Sequence, residues 1–440
     1  MTNRLHFDVA IIGGGIAGST TAAALSRRGL SVLVCEAGLP THKRLAGELL
    51  HPPGTASLQE LGLLDSVLEA GGVPVYGFVL MRSATDPGLL LSYSEIRGGR
   101  PTGIAVEHAT FTRALFGRLA GLPGVTVWDE TRVLDVDPHA ATPWATVRRA
   151  GENVTVTARL IISAEGRTSA IRDKVGIACH EEPPFRMVGW KIPNARLPFP
   201  GYGHLFVGGK TATLAYQVSR TEARVMFELP AEGGLEVGAD LLDAIPRPFR
   251  DDLERAIRDE PRLVAKFCES HTDRVTAGRL AVVGDAGGCV HPLIASGMSF
   301  CIGDAMRLDK TVGPTLGQGA IALDRGLAAY ERSRVGPMRT RTALGPALVD
   351  ALTSRDPDME LLRHGIFRYW ERSQRGRSAS MGLLSTRESS MAVMAREYAI
   401  VCAHALTGIP KGVVPRSALP RAVRGLAKRT TGYLRQAMNV

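Results

Sequence analysis

The sequence predicts an α/β architecture: a parallel sheet covered by helices, interrupted by an antiparallel sheet and followed by a helical region. Three observations predict it. Residues 7–12 (FDVAII) are a short apolar, β-branched run, followed at once by glycines and a helix-like stretch. Residues 75–93 and 185–229 alternate apolar and polar positions between Gly and Pro breaks, as in GHLFVGG, TATLAYQVS and EARVMFELP. After Gly303 the pattern turns helical and stays so to the end.

In chain order, residues 7–12 form the first buried strand. Residues 16–28 carry Ala, Ser and Thr, which leave a slim helix able to pack closely on a sheet. Residues 30–35 form a second buried strand. The three make a βαβ unit, whose crossover is expected to be right-handed. Residues 159–163 and 279–283 are two more short apolar strands, each followed by a glycine-containing turn and a helix-like segment. They read as later strands of the same sheet. The expected boundaries are 1–74, 102–182 and 275–345 for the discontinuous parallel-sheet domain. Residues 75–101 and 183–274 form the inserted β-sheet domain, and 346–440 the C-terminal helical region.

Composition bounds the function. A chain of 440 residues, 45% apolar, has volume for two or three domains and a large core. The six cysteines form no CxxC pair, so neither a zinc site nor a disulfide framework is indicated, and a reducing cytoplasm fits. His6 and Asp8 interrupt any apolar leader, and no run of 18 apolar residues exists to span a bilayer. The formal charge is +10, but residues 408–440 hold seven Lys or Arg and no Asp or Glu. The excess therefore sits on a tail, and with 5% aromatics no nucleic-acid surface is expected. Within 420–440, Val423, Leu426, Ala427, Thr430, Leu434, Ala437 and Met438 recur at spacings of three and four. With Arg421, Arg424, Lys428, Arg429 and Arg435 around them, they could form an interfacial helix making peripheral membrane contact, or a helix packed on the protein with a solvated basic face.

Three motifs carry chemistry. Gly13-Gly14-Gly15-Ile16-Ala17-Gly18 is a GxGxxG between strand and helix. Gly13 permits a tight turn, Gly15 a close approach of pyrophosphate, and Gly18 close helix packing, with the helix N-terminus favouring anions. Glu36, at the end of the second strand and followed by Ala37, stands where a carboxylate accepts hydrogen bonds from ribose hydroxyls. The second motif, Gly284-Asp285-Ala286, follows the strand LAVV; Asp285 can bind a ribityl chain, and Gly297 and Met298 open a helix aimed at a flavin. The third runs from Ser163 to Arg172 through Glu165-Gly166-Arg167, again after a strand.

In this order, the three motifs resemble the flavoprotein monooxygenases of the aromatic-hydroxylase type (group A). Finer matches resemble the squalene epoxidase-like branch. Arg44-Leu45-Ala46-Gly47-Glu48-Leu49, then His51-Pro52-Pro53-Gly54 and Leu61-Gly62, is similar to its RxxGE-L-Q-P-G-G segment. Further matches are Val188-Gly189-Trp190-Lys191, residues 197–204, Tyr216-Gln217-Val218-Ser219, Glu222-Ala223-Arg224-Val225, His291-Pro292-Leu293 and Gly382–Ser385. Two departures stand out. Glu165 occupies a position where the wider group carries Asp, and Ile294-Ala295-Ser296 stands where the branch has Thr-Gly-Gly, which changes bulk beside the flavin and argues against assuming squalene itself.

The resemblance implies a Rossmann-like FAD-binding domain with an inserted antiparallel β-sheet substrate domain and a helical C-terminal region. It implies FAD contacts from Arg44, Leu49 and Arg113, and from Val133 at the adenine end, alongside Gly284, Asp285, Pro292, Gly297 and Met298. Arg113 also reads as a solvated helix residue. The implied activity is insertion of one oxygen from O2 into a lipophilic alkene or aromatic ring, by epoxidation or hydroxylation, through reduced flavin that activates dioxygen at C4a. No side-chain nucleophile, metal ligand set or catalytic histidine is needed; His291 reads as structural. One dinucleotide fingerprint implies NADPH or NADH acting directly, or a separate reductase. Tyr76, Phe78, Tyr216 and Phe227 are candidate substrate-lining residues or ordinary core. Two other readings stay open. Residues 190–193 (WKIP) resemble part of a halogenase segment, and GDAGG with HPL is similar to prenyl reductases; the fold also occurs in prenyl-binding proteins without FAD.

Overall fold

The computed structural model describes residues 5–39, 45–96, 98–208, 211–234 and 236–439. The apolar runs of the sequence become one eight-stranded sheet. Its path is Thr276–Ala277, Leu280–Val282, Glu152–Ser163, Leu5–Ile12, Val32–Cys35 and Val125–Trp128, with Trp144–Arg149 and Arg132–Asp137 extending from the central strand. Leu5–Ile12 pairs in parallel on both sides, Val9 facing Leu160 on one strand and Val32 on the other. The Ile16–Ser26 helix is buried along its whole length, which only its small side chains permit. Its hydroxyls bond nearby backbone carbonyls, Thr20 to that of Ile16 at 2.7 Å and Thr21 to that of Ala17 at 2.7 Å, so burial leaves none of its hydroxyls unmatched.

The second sheet has seven strands in the order Leu263–Phe267, Phe185–Pro193, Glu222–Pro230, Thr213–Gln217, Gly203–Phe206, Gly77–Met81 and Leu89–Ser92. It is antiparallel except where Gly203–Phe206 runs parallel to Gly77–Met81, a departure from the expected pattern. These two strands come from separate passes of the chain, so no hairpin constrains their direction. The period-2 alternation divides the sheet into two cores. Phe78, Leu80, Met187, Leu205, Leu214, Tyr216 and Met226 face one way. Val79, Val188, Trp190, Phe206, Val225 and Phe227 face the other, packed under the Phe249–Asp259 helix.

The first of these faces is covered by the C-terminal helices Ala320–Thr353, Pro357–Arg372, Gln374–Leu384, Met391–Leu406 and Leu419–Asn439. The last of these is packed rather than free over its first half. Ala422 and Leu426 are buried. Arg429, expected among solvent-facing basic residues, instead bonds Asp350, Asp356 and Asp358 at 2.8–2.9 Å. Arg421, Arg424, Lys428 and Arg435 are exposed, and the side chains of Leu434, Ala437 and Met438 lie outside the described ones. Among the described residues, no helix is long and apolar enough to cross a membrane.

Candidate active site

The glycine loop is shaped by what each missing side chain would meet. Gly13 has φ +100°, and a Cβ there would sit 2.6 Å from the Ala164 carbonyl oxygen. At Gly18 it would collide with the Gly13 carbonyl. Gly15 differs: a Cβ there would meet nothing within 4 Å. Gly15 caps the Ile16–Ser26 helix without a side-chain bond, so the first-turn N–H groups face open space. That space is a cleft of about 1430 Å3 lined by Gly13, Gly15, Ile16, Ala17, Glu36, Ala37, Val133 and Asp285. The bare backbone of Gly166, also without a neighbour within 4 Å of its Cβ position, borders it too.

Three carboxylates line the cleft, Glu36, Glu165 and Asp285. Glu36 accepts the Gly14 N–H at 2.6 Å and the Gly38 N–H at 2.8 Å, which fixes it over the loop and leaves acceptor sites for hydroxyls. Asp285 lies in the turn Gly284–Gly287 and accepts from the Cys301 thiol at 3.6 Å. Bare backbone donors at a helix N-terminus, glycine surfaces and carboxylate acceptors in one cleft suit a dinucleotide with a polyhydroxylated chain, so the residues present fit FAD.

The Asp285 turn is anchored by charges that the sequence reading missed. Asp304, fully buried, accepts the Gly284 N–H at 3.0 Å and pairs with Arg334 at 2.8 Å and Arg307 at 2.9 Å. Arg334 in turn donates to the Gly287 carbonyl at 3.2 Å. Burial alone would raise the Asp304 carboxyl, but the two guanidiniums outweigh it and hold it below its ordinary value. From the other side, Arg172 donates to the carbonyls of Arg167 at 3.1 Å and Ala286 at 3.3 Å. Glu165 also finds a role. Its carboxylate accepts from Ser169 Oγ at 2.7 Å and the Ile171 N–H at 3.1 Å, holding the start of the Ala170–Lys174 helix.

Other expected residues are distributed differently. Arg44 lies outside the described residues. Leu49 is buried in the core that holds Leu45, Met187 and Tyr216, away from the cleft lining. Arg113 is exposed, and His108 and Thr112 of its helix line the cleft in its place. Gly284, at φ +63°, packs against Ala17 and Cys301 rather than lining the cleft. Pro292 opens the Pro292–Ile294 turn, which His291 caps by accepting the Leu293 N–H at 3.2 Å while stacking on Phe185 at 4.6 Å. Gly297, whose Cβ position is open, and buried Met298 begin the Gly297–Thr311 helix. Between them and Pro292, Ala295 has φ +49°, the left-handed region. The two-glycine pattern of the resembled branch falls at this bend, and here a Cβ occupies it.

Leu293 and Ile294 of this segment also border a small apolar cavity. Phe78, Leu80, Leu205, Leu293, Ile294 and Trp370 are among its walls. It shares Leu348, Trp370 and Leu384 with a second, roomier cavity among the C-terminal helices. The second shares Ala347, Met394 and Tyr398 with a surface groove of about 1310 Å3. Of the four aromatic candidates, Phe78 lines the first cavity. Tyr216 is buried on the same face of the sheet, but its hydroxyl donates to Glu48 at 3.4 Å, beside the fully buried Glu48–Arg224 pair at 2.7 Å. The other two do not line that cavity. Phe227 is one residue out of register with that face and packs on Trp190 behind the sheet. Tyr76 is 41% exposed, beside Tyr202. Trp190 of WKIP is likewise behind the sheet.

His51 bonds the Ile294 end of the Pro292–Ile294 turn. It is fully buried; its Nδ1 lies 2.6 Å from the Tyr93 hydroxyl and its Nε2 3.2 Å from the Ile294 carbonyl. A carbonyl only accepts, so Nε2 carries the proton and Tyr93 donates to Nδ1. Burial pushes the imidazole pKa down to about 4, so it is neutral at pH 7.

A family model described as squalene epoxidase matches residues 157–421, and one described as an FAD binding domain matches residues 6–213. Squalene epoxidase erg1 of Schizosaccharomyces pombe is 28% identical over 433 residues, covering 95% of this chain and 93% of that protein. Squalene monooxygenase of Mus musculus is 26% identical over 428 residues, covering 90% and 71%. Among solved structures, p-nitrophenol 4-monooxygenase PnpA from Pseudomonas putida DLL-E4 shares the fold. Its TM-score is 0.74 at 16% identity, over 88% of this chain and 100% of that one. The squalene epoxidase model alone spans more than half of the sequence, and it takes in the Asp285 turn, five of the seven strands of the second sheet and the helices around the apolar cavities. The chain belongs to the squalene epoxidase family of FAD-dependent monooxygenases.

Proposed function

We propose that the protein epoxidises or hydroxylates a lipophilic alkene or aromatic substrate held in the two apolar cavities. One observation carries this reading: the segment 284–298 borders the glycine cleft at Asp285 and the apolar cavity at Leu293 and Ile294. Cofactor and substrate sites therefore meet across a single short stretch of chain. In this reading Gly13, Gly15, Ile16, Ala17 and Gly18 receive the pyrophosphate of FAD, Glu36 and Ala37 the ribose, Val133 the adenine end and Asp285 the ribityl chain. Reduced flavin, when bound, supplies the activation of dioxygen.

The chain's own residues do the rest. Phe78, Leu80, Leu293 and Ile294 exclude water and hold an apolar substrate by burial, worth roughly 25 cal/mol per Å2 of apolar surface. His51 and Tyr93 satisfy one another, so the site's inner edge presents no open polar atom from either. Electrons come from NADPH or NADH, directly or through a reductase. The substrate enters by the surface groove, beside which Leu406 is 49% and Val423 42% exposed, and the groove can rest on a lipid surface with Arg421, Arg424 and Lys428 near it. Substrate-dependent NADPH oxidation and oxygen uptake, measured over a panel of polyenes and prenylated aromatics, tests the function. NADPH-dependent saturation of an alkene without oxygen uptake would favour a reductase instead. Sedimentation with anionic liposomes at low salt tests the membrane contact, which protein remaining in the supernatant would reject.

A further inference from the structure

The second cavity is not uniformly apolar. Leu344, Leu348, Leu362, Ile366 and Leu383 make most of its wall, yet Glu397 and Ser380 also line it. Glu397 is 4% exposed. Its Oε2 accepts from the Tyr369 hydroxyl at 2.6 Å, and its Oε1 accepts from Arg396 at 2.8 and 3.0 Å. A carboxylate has about four acceptor sites, and these bonds use three. Ser380 accepts from the Trp370 Nε1–H at 2.8 Å, and among the described residues no bond uses its own proton. The lining of a greasy cavity thus includes an acceptor with an open site and a hydroxyl proton with no acceptor among the described residues.

A carboxylate is costly to keep beside a hydrocarbon wall unless its acceptor sites are filled. Pairing with Arg396 and anchoring Tyr369 account for the charge and for three acceptor sites, but neither requires the carboxylate to border a void. A hydroxyl group matches the pair, since it donates one proton and accepts another.

We propose that this cavity receives a hydroxyl carried on the substrate at the end remote from the oxidised position, its proton donated to Glu397 and its oxygen accepting from Ser380. The substrate class is then a long apolar alcohol rather than a pure hydrocarbon. This rests on the monooxygenase reading and narrows it. Its position supports it, because the cavity lies next to the one lined by Leu293 and Ile294, with Leu348, Trp370 and Leu384 as their common wall.

The test is binding, read from the fluorescence of Trp370, which lines both cavities. FAD-loaded protein is titrated with geranylgeraniol and with the matching hydrocarbon that lacks the oxygen, both delivered from the same cyclodextrin. The alcohol should bind about tenfold more tightly, the scale of a hydrogen bond to a charged group in an apolar site. Glu397→Gln and Ser380→Ala should each reduce that preference while leaving hydrocarbon affinity unchanged within about twofold. A purely structural role for Glu397 would lower both affinities together. Should Glu397→Gln fail to fold, Ser380→Ala, a loss of one oxygen, still decides the matter. Equal affinity for alcohol and hydrocarbon in the wild type, or a preference that survives both substitutions, overturns the proposal. Selective binding of the alcohol without oxygenation of either ligand would leave this site standing and count against the monooxygenase reading.

Discussion

Asp304→Asn attacks the support of the Asp285 turn without touching the cleft. In the wild type the Asp304 carboxylate holds three groups: the Gly284 N–H, Arg334 and Arg307. Arg334 is 3% exposed and Asp304 0%, so solvent cannot replace the lost charge. Removing one partner of such a pair leaves a buried cation uncompensated, at about 3–5 kcal/mol. Against a total stability of about 5–15 kcal/mol this is severe but survivable. Because the amide keeps one acceptor oxygen where the carboxylate uses both, either Gly284 or an arginine loses its partner, the turn carrying Asp285 shifts, and FAD affinity should fall by about tenfold or more. Adding Arg334→Met removes the stranded cation, so the double variant should be more stable than Asp304→Asn alone. The sign with pH follows from a depressed carboxyl: its contribution is present above the ordinary carboxylate range and lost as pH falls through the folded-state value. Denaturant melts and FAD titrations of the three proteins measure both effects. Asp304→Asn within about 1 kcal/mol of wild type, with unchanged FAD affinity, would refute the reasoning.

Three further outcomes follow from single positions. Gly15→Val should fold, because its Cβ meets nothing, yet lose FAD, because the side chain projects into the cleft; yellow, flavin-loaded protein would contradict this. Ala295→Gly relieves a left-handed alanine and should stabilise the protein by roughly 1 kcal/mol, read as a raised melting temperature; a lowered one would show that the bend does not cost energy. His51 and His204 are both pushed down to about 4 by burial, so the unfolded state takes up protons first between pH 6.5 and 4 and stability falls as pH drops through that window, by about 3 kcal/mol for each. His51→Gln, which can still accept from Tyr93 and donate to Ile294, should roughly halve that slope, and an unaltered slope in urea melts would remove His51 from the account.

The parts that were legible in the sequence are those set by backbone and periodicity. Gly13, Gly15 and Gly18 each have a different steric reason to be glycine, and the reasons read from the motif match what a Cβ would meet at each. The βαβ unit and the alternation of the inserted sheet follow from period and β-branching alone. Parity is where aromatic identity misled. Phe78 and Phe227 are both aromatic strand residues of one sheet, yet they face opposite cores, and which face meets the cavity is set by the C-terminal helices rather than by either strand. The Asp304–Arg334 anchor was invisible for another reason. The partners are 30 residues apart on two helices, and a charged residue in a helical pattern ordinarily reads as solvated. Arg429 misled in the same way, reading as a basic surface residue while three aspartates of neighbouring helical segments wait for it. Glu165 is one methylene longer than the expected Asp, and its carboxylate reaches Ser169 and Ile171 of the next helix.

The central claim is that a flavin cleft and an apolar cavity meet at residues 284–298 to put one atom of dioxygen into a lipophilic substrate. Mass spectrometry of the product formed under heavy-isotope dioxygen tests it most directly, using FAD-loaded protein, NADPH and, where needed, a reductase. The account predicts a product carrying one heavy oxygen atom, and its loss with Gly15→Val. A product whose added oxygen comes only from water, or a reduced product with no oxygen gained, would contradict it.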